Sequence, residues 1–433
     1  MSKNKYHIKH ICRVEGHGNL LVELDGDDIT KTEMQIVEGA RFFEGFTVGR
    51  KYDEAINIIS RICAICSVSH QISAAQALEN SVGIEPSDQV KDFRILLDHG
   101  ENLQSHILHI GMLALPDFLG FPGAIQMAPK YPKEVKMVLR MKRIANDLQA
   151  LIGGREIHPV NIKPGGFGKY PSKVQMKAIK EKLLSFKEDT AKIASLYDSL
   201  TMPDFENKTE QIAIYNGKNY PFLHGKHKCL LSGKIVSAKD YKKDFITEET
   251  RQYSHAKFST INGNQIYYVS PLARININHE FLSNDAKEIL KQFGLQLPNF
   301  NPFNNNLARI IELMHCVDNA IEILDKYIEN PPKKSPKTFE IEAGTGATAT
   351  EAPRGLLNHA YTVDQNGVIQ KMDVITPTAH NTNKIEDDVN KMGSILAEKS
   401  NEDAELLLNM LIRSYDPCIS CSAHAVKIDF RRL

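Results

Sequence analysis

Two Cys-x-x-Cys pairs stand at opposite ends of this sequence, Cys63 and Cys66 in "RICAIC" and Cys418 and Cys421 in "DPCISC". Two residues between cysteines let both sulfurs converge on one ion where the chain turns at a helix start, so each pair is half of a tetrathiolate site. If the halves belong together, the fold must bring the two ends of the chain to one place. The remaining cysteines, Cys12, Cys229 and Cys316, lie outside the pairs and read as ordinary thiols. Seven cysteines form an odd, sparse set, which suits metal or redox chemistry in a reducing compartment better than a disulfide framework. A structural zinc site is one reading of such pairs; a separate thioredoxin-like redox motif at each is another.

Lysine plus arginine equals aspartate plus glutamate at 53 each, so no global field draws the chain to nucleic acid or to an anionic membrane. The opening segment "MSKNKYHIKHICRVEGHGNL" lacks the apolar stretch of a secretion signal, and no run of about eighteen uncharged apolar residues occurs to span a membrane. The expected location is the cytoplasm. With 433 residues, 42% of them hydrophobic, the chain can bury a large core in one big domain or two intimate ones.

Apolar and polar residues alternate around an Asp-Gly-Asp-Asp turn between residues 18 and 39, which reads as a β-hairpin. Windows near 51–82, 87–114, 132–155 and 172–199 carry apolar residues at helical spacing, the lysine-rich last of them with a solvated face. A lobe at about 205–280 is richer in β-branched residues and turns. A long amphipathic helix then runs from about 305 to Asn330, before Pro331 and Pro332. Strands and turns follow in "TFEIEAGTGATATEAPRG" and "GVIQKMDVITPT", and helices near 384–397 and 402–415 close the chain. The glycines of "AGTGATAT" lack the spacing and the lysine of a nucleotide loop. The expected class is α+β: mainly helical, with a central helix bundle, an N-terminal β-hairpin and a small β-rich insertion.

The residues flanking the cysteines narrow the choice. "RICAICSVSH" has the form Arg-x-Cys-x-x-Cys-x-x-x-His, and "DPCISCSAH" has the form Asp-Pro-Cys-x-x-Cys-x-x-His. Together they resemble the two signature motifs of nickel-iron hydrogenase large subunits. "RVEGHG" (13–18), "FFEGFTVGR" (42–50), "GGREIHPVNIKPGG" (153–166) and "EAPRG" (351–355) are similar to further segments of that family, in the same order. The resemblance implies one domain over 1–433, with the β-rich lobe inserted and a processing tail at 425–433. It implies that Cys63 and Cys418 are terminal nickel ligands, and that Cys66 and Cys421 bridge nickel to an iron carrying carbon monoxide and cyanide. Soft thiolates suit both ions.

By the same resemblance dihydrogen is split heterolytically, Cys418 taking the proton and Glu15 relaying it outward. Arg354 would stand over the open face of the metals, with Asp117 and Asp416 orienting it; Asp416 also reads as a helix N-cap before Pro417. His70 would hydrogen-bond the bridging sulfur of Cys66. Pro377 and Thr378 would face the diatomic ligands of the iron, although the "AHN" that follows departs from the aromatic residue many relatives place there. Glu44, a backbone carbonyl near Val374, and His424 imply a second site for a hard cation, magnesium or iron.

No four-cysteine set remains for an iron-sulfur cluster, so the resemblance implies an obligate iron-sulfur small subunit, with further electron-transfer or diaphorase-type subunits beyond it. It also implies nickel-insertion proteins and a maturation protease that cleaves after His424. The motifs look most like the soluble cytoplasmic group linked to NAD(P)H, to a deazaflavin or to heterodisulfide reductase. Other readings are a hydrogen-sensing homologue, the quinone-site subunit of respiratory complex I, which shares the fold without the cysteines, and a structural zinc protein.

Overall fold

The computed structural model describes residues 3–335 and 339–423, and its architecture is built around one buried helix, α1 (Ser67–Val82). Its sequence, "SVSHQISAAQALENSV", is rich in serine and alanine, and every residue but Asn80 is buried. A helix buried on all sides carries no clean amphipathic stripe, and its small side chains let neighbours come close. Four longer helices form the bundle beside it: α2 (Asp88–Leu108), α3 (Pro132–Gly153), α4 (Lys173–Asp198) and α5 (Asn305–Glu329). α2 packs against α3 and α5, and α5 against α4. α4 starts at a capping box, in which the Ser172 hydroxyl accepts from the Gln175 N–H and the Gln175 side chain accepts from the Ser172 N–H.

On its other side α1 lies on an antiparallel three-stranded sheet, Gly344–Ala352, Gly355–Val363 and Ile369–Ile375. Here the glycines of "AGTGATAT" find their reason. A Cβ on Gly346 would stand 2.1 Å from the Ala77 carbonyl oxygen, and one on Gly344 2.6 Å from that of Ser81. They let strand backbone touch helix backbone.

The expected N-terminal hairpin is present as strands Gly18–Asp25 and Asp28–Ile36, joined at Gly26 and Asp27. A third strand, Lys3–Ile8, extends it to a sheet. The helical window 51–82 is broken instead of continuous, since Tyr52–Ile59 ends in a short 3-10 turn and the cysteine loop intervenes before α1. α2 runs on into a widened turn at His109–Ala114, where Gly111 makes room for Val138 of α3. In the lobe, a small sheet including Glu210–Tyr215 and Lys226–Cys229 lies near the hairpin Ile246–Arg251/Ser254–Ile261. Its core residues Ile212, Ile214 and Tyr267 share a cluster with Ala347, Leu356 and Ile375 of the central sheet. The last helices, Pro377–Asn390 and Asn401–Tyr415, begin at or before the expected starts. No helix among the described residues is long and apolar enough to cross a membrane.

Because helix backbone leaves no room at Gly346, Gly346→Ala is expected to destabilise the chain by about 1–3 kcal/mol through overpacking, read as a lowered denaturant midpoint at unchanged slope.

Candidate metal centre

The four paired cysteines meet. Their sulfurs all lie within 4.8 Å of one another and all are buried. Cys63 Sγ is 3.3 Å from Cys418 Sγ, Cys66 Sγ is 3.4 Å from Cys421 Sγ, and Cys418 and Cys421 are 2.9 Å apart. Each pair straddles a helix start: Cys66 precedes α1 with its N–H donating to Cys63 Sγ at 3.3 Å, and Cys418 precedes the short helix Ile419–Ser422. Helix N-termini favour thiolates.

Backbone bonds hold the two ends together. Glu15 and Cys418 form a parallel β-bridge, in which the Ile419 N–H donates to the Glu15 carbonyl at 2.9 Å. Gly16, at φ 86°, fits under Ile419 and Ser420, 2.8 Å and 2.9 Å from where its Cβ would stand. The Arg41 guanidinium straps the halves across, donating from Nη2 to the Ile62 carbonyl at 2.5 Å and to the Ser420 carbonyl at 2.7 Å. Neither Arg41 nor Glu101 was singled out from the sequence. The buried Glu101 carboxylate of α2 accepts from the Val68 and Ser69 N–H groups at 2.6 and 2.9 Å, and from the Ser69 hydroxyl, so it caps the helix that follows Cys66. Burial raises its pKa to about 8 despite these donors.

Glu15 Oε2 lies 3.1 Å from Cys418 Sγ and 3.1 Å from the Ser420 N–H. Arg354 occupies the two-residue turn between the first two strands of the central sheet; its Nε donates to the Asp416 carbonyl at 2.7 Å and its Nη2 to Asp416 Oδ1 at 3.2 Å. Burial opposes its charge, but Asp416 and the sulfurs of Cys418, Cys66 and Cys63 hold it firmly protonated. Asp416 is not an N-cap. It ends the helix Asn401–Tyr415 in the left-handed conformation, φ 53°, which an aspartate tolerates. Asp117 also departs from expectation: it pairs with Arg13 and, at 2.5 Å, with Arg413 Nη1, two guanidinium groups that take up its oxygens in place of Arg354.

His70 makes no bond to the Cys66 sulfur among the described residues. Its ring is turned to the central sheet, where Nδ1 meets His359 Nε2 at 3.2 Å, a better partner than sulfur. Thr378, next to Pro377 at the start of its helix, accepts from the Cys418 N–H at 2.8 Å. Glu44 and Val374 are brought together, the Val374 N–H donating to Glu44 Oε1 at 3.0 Å, while His424 lies outside the described residues. Burial pushes the Glu44 carboxyl up, against Lys257 and with Asp373.

The donor set fits a soft dication. Burial drives the Cys418 and Cys421 thiols well up. Cys63 is driven well down: burial opposes its charge, but the Cys418, Cys421 and Cys66 thiols surround it as donors. Four packed sulfurs cannot all ionise without a cation, and a coordinating metal deprotonates thiols outright. Beside them Arg354 Nη1 is buried and has no partner among the described residues, in a crevice lined also by Thr378, Asn381 and Pro417. It fits a group that brings its own acceptor.

A family model described as nickel-dependent hydrogenase matches residues 41–138 and 207–424. The chain belongs to that family. The sulfhydrogenase 1 subunit alpha of Pyrococcus furiosus is 34% identical, over 97% of this chain and 98% of that one. The NAD-reducing hydrogenase HoxS subunit beta of Cupriavidus necator is 27% identical, over 97% and 94%. A crystal structure of an NAD+-reducing [NiFe]-hydrogenase in the H2-reduced state superposes with a TM-score of 0.89 at 25% identity, covering 97% of this chain and 99% of that one. The protein is thus a hydrogenase large subunit, an oxidoreductase, and its buried cysteine cluster suits nickel and iron.

Arg41 holds both halves of this hydrogenase's cysteine set without touching a sulfur. Arg41→Gln is expected to lower the nickel retained per purified chain roughly tenfold, measured by elemental mass spectrometry against protein concentration.

Proposed function

We propose that this subunit cleaves dihydrogen heterolytically, with Cys418 as first proton acceptor and Glu15 as first relay. The observation that carries this is the 3.1 Å contact between Cys418 Sγ and Glu15 Oε2 in an otherwise buried cluster. General acid-base transfer requires hydrogen-bond reach, and this pair has it. When bound, the nickel-iron group supplies the Lewis acidity and redox capacity that polarise dihydrogen. Cys63 and Cys418 would hold nickel as terminal ligands, and Cys66 and Cys421 would bridge to iron. The Ser420 N–H aims the Glu15 carboxylate, and Thr378 fixes the Cys418 backbone while keeping its own hydroxyl proton to donate. Arg354, held by Asp416, would offer its Nη1, which has no partner among the described residues, to the carbon monoxide and cyanide that no side chain supplies. Asp117 acts one step further out, through Arg13 and Arg413.

Glu44 and a carbonyl near Val374, joined by His424, would hold magnesium or iron. A half-buried carboxyl pushed up by burial, with Asp373 near it, supports a hard cation there.

Electrons would leave to an iron-sulfur small subunit. Exposed Phe42, Phe46, Val48, Ile157 and Val160 offer it an apolar surface on segments that pack against the first cysteine pair. Arg41 bonds to Ile62, and His158 to Ser60 and Ser67. The relative described as NAD-reducing supports a cytoplasmic place and diaphorase-type subunits beyond. Nickel-insertion proteins and a protease cutting after His424 would complete maturation.

Metal analysis with infrared spectroscopy tests the centre: one nickel per chain with carbon monoxide and cyanide bands is expected, and stoichiometric zinc without bands would overturn it. Glu15→Gln should lower hydrogen-dependent dye reduction by about 10²- to 10⁴-fold while nickel content and bands stay as in the wild type. Intact mass of the mature chain should end at His424; a chain retaining Arg432 and Leu433 would refute the cleavage.

A further inference from the structure

The turn that presents Arg354 is gripped from behind by a second arginine. Arg274 lies in the first turn of the helix Pro271–Asn278 and is completely buried. A guanidinium has five N–H groups, and each of those on Arg274 finds an oxygen. Nε and Nη2 donate to the two oxygens of Glu312 at 2.6 Å each, and Nη1 donates to Glu351 Oε2 at 3.1 Å. The other two go to backbone: Nη1 donates to the Ala352 carbonyl at 2.9 Å and Nη2 to the Pro353 carbonyl at 3.3 Å. Glu351, Ala352 and Pro353 are the residues directly before Arg354.

The same segment supplies a floor for the turn. Gly355, at φ 132°, packs on Val269, where a Cβ would stand 2.9 Å from the Val269 carbonyl carbon and 3.0 Å from the Ser270 nitrogen. Val269 is fixed in turn, because the Asn381 side chain accepts from its N–H at 3.0 Å and donates to its carbonyl at 2.7 Å. Just before it, the strand Tyr267–Tyr268 pairs with Glu210–Tyr215 of the β-rich lobe. Floor and grip thus both come from residues 269–274.

We propose that Arg274 is a positioning residue for Arg354: it fixes the backbone of the turn on the Val269 floor, so that the Arg354 guanidinium keeps one place in the crevice it shares with Thr378 and Asn381. Arg354 is then held at both ends, its head by Asp416 and its backbone by Arg274. Both holds are needed. Asp416 orients the guanidinium only if the Cα from which it hangs does not drift, and a misplacement of about 1 Å costs a positioned group on the order of 10²-fold. That Arg354 faces the metals rests on the nickel-iron reading; the grip on its turn does not. The fork of a guanidinium is what makes the grip. A lysine would keep the positive charge against Glu312 and Glu351, but one ammonium with three donors cannot span two carboxylates and two consecutive carbonyls. Substitution by lysine therefore separates positioning from charge neutralisation.

Arg274→Lys holoenzyme is to be compared with the wild type by hydrogen-deuterium exchange, infrared spectroscopy and hydrogen-dependent dye reduction. The peptide covering residues 351–356 should exchange roughly tenfold faster. The carbon monoxide band should shift, and dye reduction should fall roughly tenfold at unchanged nickel content. In an Arg354→Lys background the same change should cost less than about twofold more, because a residue that acts through another has little effect once the other is gone. Wild-type exchange over 351–356, an unshifted band, or losses that multiply in the double variant overturns the proposal. Gly355→Ala lifts the turn off Val269 with Arg274 in place, and gives a second measure should the lysine variant fail to fold: the same band should shift, and an unshifted one overturns the proposal. A wild-type chain without infrared bands defeats the nickel-iron reading instead, and exchange over 351–356 still decides the grip.

Discussion

Four sulfurs held within 4.8 Å of one another in a dry interior are the constraint on which the rest of this structure depends. Ionised and empty, they would repel; protonated, they would be a poor core. A soft cation reconciles them, and the fold is shaped to keep the set assembled. Much of that work falls to backbone groups and charged side chains outside the cysteine set. The Glu15 strand edge pairs with Cys418, the Arg41 guanidinium reaches both halves, and Glu101 caps α1 directly after Cys66. Positioning thus comes from groups whose geometry the metal does not have to impose.

The bundle behind the site is held by buried charges as well as by apolar packing. Arg274 bonds Glu312 through Nε and Nη2 at 2.6 Å each and reaches Glu351 at 3.1 Å, while Glu312 also takes the Tyr220 hydroxyl and His106. Arg94 and Glu79 form a second bidentate pair that also takes the Gly165 N–H. A pair of this kind gives little net stability over an apolar substitute, but losing one partner strands the other's charge and costs about 3–5 kcal/mol. Glu79 belongs to α1 and Glu351 to the sheet beneath it, so one network ties α1 to α2 and the other ties the sheet, through Arg274, to α5.

The cysteine set was legible in the sequence because its spacing is local: each pair declares itself within four residues. The N-terminal hairpin, the long helix before Pro331 and the lobe were legible for the same reason, from alternation, helical period and turn residues. The contacts of Arg41, Glu101 and Asp117 were not, since each joins segments far apart in the chain and nothing near an arginine or glutamate announces a distant carbonyl or helix end. His70 shows the finer limit. Its Nδ1 contact could not be read from the motif, because His359 sits on a strand that reaches it only in the folded protein. The glycines of "AGTGATAT" could be read from the sequence only as lacking the spacing of a nucleotide loop; their use against α1 depends on which helix lies above them.

The joining of residues 63 and 418 also sets a timetable. During synthesis the first pair of sulfurs leaves the ribosome long before the second exists, and the 355-residue separation from Cys63 to Cys418 takes roughly 20–70 s to make at about 5–20 residues per second. Through that interval the nascent chain holds a half-shell of two thiols open to whatever ion the cell offers. Fidelity of loading is therefore a kinetic matter, decided by which ion is delivered while the final segment is still free to dock.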